Sequence, residues 1–179
     1  MHLACLAART VIGGLFIGHG TQKLMGWFGG PGLEGTDQMM DGLRMHPPRR
    51  NALAAGVSEA AGGTLLAAGL ATPLAAASLI GVMTTAIRTV HAPNGVWNSD
   101  GGYEFNLTLI AALATIVEAG PGALSLDHAL GIEKKGTAIA LGTTALGVAA
   151  SFATVELGRR EAERTARLHP AAPADSAAQ

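Results

Sequence analysis

The chain has 179 residues, 49% of them hydrophobic and only 14% charged, with a formal net charge of -1. That balance leaves no basic stripe for a phosphate backbone and so excludes nucleic acid as a partner. The lone cysteine, Cys5, excludes an intramolecular disulfide, a CxxC redox pair and a cysteine-cluster metal site.

Long uncharged runs set the positive expectation: an all-α, polytopic membrane helix bundle. Met1–Leu6 carries neither a basic n-region nor a small-residue cleavage pattern, so the first helix is expected to be retained. The spans fall at Leu3–Trp27, Asn51–Leu70, Pro73–His91, Tyr103–Ala119 and Thr137–Leu157. The uncharged run Ala60–Ile87 is too long for one crossing and divides at Ala71-Thr72-Pro73, because proline disfavours helix at the residue before it. The loop Gly26–Asn51 is too polar to cross, yet Met39, Met40 and Leu43 recur at helical spacing after Thr36, a possible cap, which predicts a short surface helix. Small residues in the spans (Gly13, Gly14, Gly18, Gly56, Gly62, Gly63, Gly69) are read as packing positions. After Leu157 a charged helical extension is expected, and Pro170–Gln179 is expected to be disordered.

Lysine and arginine give the orientation. Lys23, Arg44, Arg49, Arg50, Arg88, Arg159, Arg160, Arg164 and Arg167 fall on one side of such a bundle, and Arg9, Lys134 and Lys135 on the other. The positive-inside rule then places the N-terminus outside and the C-terminus in the cytoplasm.

Ionisable residues at membrane depth are costly and mark functional sites by default. Arg9, Ile12, Phe16, His19 and Lys23 share one stripe of the first span, and Thr84, Arg88 and His91 share a face at the end of the third. His19, Lys23, Arg88, His91 and Glu104 are therefore expected to gather near the cytoplasmic helix ends, with Glu59 roughly 12 Å deeper from its offset along the second span. One explanation is structural: Lys23 and Arg88 reach for headgroups and Glu59 pairs with one of them. Another is chemical. His19 and His91 as axial haem ligands are disfavoured by their basic neighbours. A quinone head fits better: its oxygens take donors from His19, Lys23, Arg88, His91 or the Tyr103 hydroxyl, and Glu59 and Glu104 are the groups able to relay protons. No metal site and no GxGxxG dinucleotide fingerprint is present, so electrons must come from another protein.

The residues also resemble the DoxX family of small bacterial membrane proteins. The resemblance rests on Arg9-Thr-Val-Ile-Gly13-Gly14-Leu15-Phe16-Ile-Gly18-His19-Gly20-Thr-Gln-Lys23-Leu24-Met-Gly26, on Glu59 with Gly62 and Gly63, and on Met83, Ala86 and His91. Gly102-Tyr103-Glu104, Gly120-Pro121-Gly122 and Ser125-Leu126-Asp127 follow in order. It implies a four-helix membrane domain over residues 1–130, residence in the bacterial inner membrane, and quinone-linked redox chemistry. Relatives include a subunit of thiosulfate:quinone oxidoreductase, and a similar mycobacterial protein is linked to a complex with superoxide dismutase and a sulfurtransferase. Residues 131–158 then form an added fifth span and 159–179 a charged tail. The leading expectation is a quinone-binding subunit of a redox complex in contact with lipid and other subunits. The alternative is a non-catalytic scaffold for a partner oxidoreductase. A small-solute transporter is disfavoured by the absence of internal repeats and broken midplane helices.

Overall fold

A computed structural model describes residues 2–168, and every regular element among them is helical. The disorder expected for Pro170–Gln179 lies outside the described residues. The main helices are α1 (His2–Met25), α2 (Gly32–Gly42), α3 (Pro48–Ala68), α4 (Thr72–Ala86), α5 (Glu104–Ala119), the single turn α6 (Leu126–Ala129) and α7 (Thr137–Leu168). A π turn, Ile87–His91, continues α4.

Each boundary has a local cause. Pro48 opens α3, where its missing N–H costs nothing, and Gly69 closes it in the left-handed region at φ 64°, with its N–H bonded to Leu66 O at 3.0 Å. α4 begins three residues later, at Thr72, with Pro73 in its first turn, so the expected division of the long apolar run is observed. Thr36 does not cap α2. It lies inside that helix, fully buried, and its hydroxyl donates to Gly32 O (2.7 Å) and Lys23 O (3.2 Å), which fastens α2 to the end of α1. α7 runs unbroken from the apolar Thr137 region through the arginine-rich stretch to Leu168.

Three helical segments are long and apolar enough to cross a membrane: Leu3–Met25, Thr72–Asn94 and Thr137–Leu168. The two other expected spans are less suited alone: α3 carries Arg49, Arg50 and Glu59, and α5, with 16 residues, rises only about 24 Å against a hydrocarbon core of about 30 Å. Both complete the bundle by packing on the apolar three.

Glycine sets how closely the helices approach. A Cβ on Gly13 would lie 2.5 Å from Gly63 O, and one on Gly20 would lie 2.5 Å from Ala60 N, so α1 and α3 run antiparallel with backbones touching. A Cβ on Gly147 would lie 2.6 Å from Ala77 O, which puts α7 equally close to α4, and these two run parallel because Thr85 further along α4 meets Ser151. α4 is the central helix: Ala75, Ala76, Leu79 and Ile80 are sealed from solvent, with Phe16, Leu66, Leu113 and Val117 around them. α1, α4 and α7 therefore end on the side where α3 and α5 begin.

At the opposite end polar groups close the bundle. Arg9 is 1% exposed and donates to the carbonyls of Ala67 and Leu124, while the Asp127 carboxylate accepts from Ala71 N (2.7 Å) and Thr72 N (2.9 Å), the free amides at the start of α4. Ala71 adopts a left-handed φ of 47°, which this double acceptor helps to hold. Asp127→Ala is expected to lower stability by about 2–3 kcal/mol, because it leaves one buried and one partly buried donor unpaired; Asp127→Asn, with one acceptor oxygen left, should lose less. Unfolding midpoints in detergent check the order. Beside this closure, hydrogen bonds from Lys135 and His128 hold the Glu133 carboxyl below its usual range.

Candidate functional site

The antiparallel pairing of α1 and α3 sets Leu24 against Gly56 and Gly20 against Ala60, so Glu59 lies about one helical turn further into the bundle than Lys23. Lys23 Nζ meets Glu59 Oε2 at 2.6 Å, with the Glu59 side chain only 3% exposed and Lys23 partly open at 22%. Glu59 is thus deeper than Lys23 but not separate from it, because the long lysine side chain carries its ammonium to the carboxylate. A carboxylate inside an apolar bundle needs such a partner, since an unpaired one loses far more hydration than packing returns.

The pair lies in the wall of a cavity of about 530 Å³. Phe16, Met83, Leu109 and Met45 give it apolar sides, and Met39 and Met40 of α2 cover it at the helix ends. Among the further polar side chains that line it are His19 from α1, Asn51 from α3, His91 from the π turn and Asn106 from α5. Exposed Leu15, Ala54, Phe105 and Ala150 also line it, so the chamber reaches the lateral surface of the bundle.

The polar groups are not equivalent. Asn51 is spent on structure, its amide donating to Met45 O (2.9 Å) and Pro47 O (3.1 Å). Asn106 is buried, and its amide has only the Met83 sulfur at 3.4 Å, a weak acceptor, so it retains donor capacity. His91 Nδ1 is 2.7 Å from Gly101 O, which cannot donate; Nδ1 must carry the proton, leaving Nε2 as the acceptor of the neutral ring. His19 Nδ1 makes a comparable contact to Gln22 Oε1 at 3.1 Å. One chamber therefore combines a cation, a carboxylate, a free amide and two imidazoles in apolar surroundings.

Of the residues singled out from sequence, His19, Lys23, Glu59 and His91 are brought together. Arg88, Tyr103 and Glu104 do not line the cavity. Arg88 turns to α7, donating to Ser151 O at 3.0 Å and lying 3.8 Å from the Phe152 ring centre. Glu104 Oε1 accepts from Asn98 N at 3.1 Å and its own N–H donates to Val96 O, so the carboxylate holds the connection before α5. Tyr103 belongs to that same connection through its N–H to Gly95 O. Asn106 is the residue sequence reasoning missed. Its signal was an amide at the third position of a mainly apolar helix, which a search for charge passes over.

The DoxX family model matches residues 4–92, from α1 through the π turn after α4, and so covers His19, Lys23, Glu59, Arg88 and His91. α5 and α7 lie beyond it. No curated protein and no solved structure matches the chain.

Proposed function

We propose, from the premise that this chain belongs to the DoxX family, that it is a membrane protein whose cavity holds the head group of a quinone. The observation that carries this reading is the Lys23–Glu59 ion pair set in the wall of a laterally open apolar chamber with His19, His91 and Asn106. A quinone is apolar except for two carbonyl oxygens, and its isoprenoid tail belongs in lipid. The lateral opening suits the tail, while Lys23, Asn106 and His19 are the donors for the oxygens. Reduction to quinol consumes two electrons and two protons. The electrons come from a partner oxidoreductase, because no residue here carries them; the protons enter through His19, His91 and the Glu59 carboxyl, the titratable groups of the wall. The chain then acts as the quinone-side subunit of a redox complex.

The basic asymmetry supports the cytoplasmic face of a bacterial inner membrane as the site's location. Lys23, Arg49 and the arginines of late α7 sit at the cavity end, and Arg9, Lys134 and Lys135 at the other.

His19→Leu and Asn106→Leu each remove one polar group without orphaning a buried charge. In both, quinone bound per folded protein is expected to fall about tenfold, the equivalent of one hydrogen bond of about 1.4 kcal/mol, with the unfolding midpoint nearly unchanged. Wild-type occupancy in both variants would remove this site from consideration.

A further inference from the structure

Both tryptophans of the chain lie at the cavity end, and both are displayed rather than packed. Trp27 is 55% exposed, its neighbour Phe28 78% and Trp97 66%. Each follows closely on the end of an apolar span, Trp27 after Leu3–Met25 and Trp97 after Thr72–Asn94. Because α1 and α4 run parallel, the two loops emerge at the same end of the bundle.

The display is built, not incidental. The Trp27 and Phe28 rings meet edge to face, 6.4 Å between centres at 88°, which fixes them as one wedge. Phe28 holds a left-handed φ of 53° between Gly26 and Gly29, both also left-handed at 73° and 74°. A bulky residue is rarely found there, and here the conformation turns its ring outward. The Trp97 loop is closed by Asp100 N (3.0 Å) and Gly102 N (2.9 Å), both donating to Trp97 O. At the opposite end, neither the connection 69–71 nor 120–136 contains a tryptophan, tyrosine or phenylalanine.

We infer that Trp27, Phe28 and Trp97 form a one-sided aromatic anchor seated in the headgroup zone of a single leaflet. Amphipathic rings favour that zone, where the apolar body meets acyl chains and the indole N–H meets water or ester oxygens. The occupant is the bilayer surface, because the rings stand where two apolar spans end and hydrocarbon gives way to headgroups. The anchor sets the depth of the cavity mouth, whose wall includes His91 and Asn98 from the same connection as Trp97.

The test uses the full chain in phosphatidylcholine vesicles whose acyl chains are brominated either near the headgroup or near the methyl end. Trp27→Phe and Trp97→Phe each leave a single tryptophan to report. Bromines near the headgroup are expected to quench each emission at least about twofold more strongly than deep ones. Three results overturn the inference. They are equal or stronger quenching by deep bromines, quenching by aqueous iodide with none from either lipid, and no quenching by any of the three, which would mean a protein covers the rings.

Discussion

Lys23→Met is expected to be among the most damaging single changes in the chain. It leaves the Glu59 carboxylate, 3% exposed, without the ammonium that stands 2.6 Å away. Breaking one side of a buried pair costs about 3–5 kcal/mol, because a charge remains in a low-dielectric surrounding with nothing to replace its hydration. Removing both charges, as Lys23→Met with Glu59→Met, replaces the pair by apolar side chains of similar length and should be far milder, since such swaps are often neutral. The double variant should fold nearly as well as wild type while failing to retain quinone. Unfolding midpoints of the two single variants and the double give the coupling directly. Additive effects would show that the two side chains do not act as a pair.

The second large effect is steric. Gly63→Ala puts a Cβ 2.6 Å from Gly13 O and 2.9 Å from Ile17 N, both backbone atoms that no side-chain rotation can move. α1 and α3 must separate, and overpacking at position 63 together with looser packing along the seam costs about 3 kcal/mol. The separation also moves Lys23 from Glu59, so quinone retention should fall with stability. Gly14→Ala is the control: nothing lies within 4 Å of its Cβ, and the change should be neutral within about 1 kcal/mol. Equal midpoints for the two variants would contradict the packing described for α1 and α3.

Much of this architecture is readable from the sequence, for definite reasons. Uncharged runs locate helices in a membrane protein because charge is what lipid excludes, and Pro73 marks the break because the chain before it must leave the helix. The contact of Lys23 with Glu59 is not readable. It depends on which glycines interlock, and two of the seven glycines read as packing positions, Gly14 and Gly18, meet no neighbour within 4 Å at all. The fate of Arg88 is hidden by a change of period. At the α-helical repeat Thr84, Arg88 and His91 share a face, but the π turn Ile87–His91 adds a residue to the turn, sending Arg88 to Phe152 and leaving His91 on the cavity. Glu104 has the look of a proton carrier because it begins an apolar helix. The turn before it has backbone amides to satisfy, and Asn98 N takes the carboxylate. Thr36 fits the usual rule for caps, whereas the chain starts α2 four residues earlier at Gly32 and uses the threonine as a rivet to α1.

The central claim is that a quinone head group occupies the chamber lined by α1, α3, α4 and α5. A photoreactive quinone bearing an azide on its ring, added to the full chain in membranes and mapped by peptide mass spectrometry, tests it most directly. Labels are expected within 15–23 of α1 or 105–109 of α5, to fall when unlabelled quinone competes, and to be lost in the Lys23→Met, Glu59→Met double variant. Labelling confined to outward-facing residues such as Val11 and Leu141, unaffected by competitor, would contradict it.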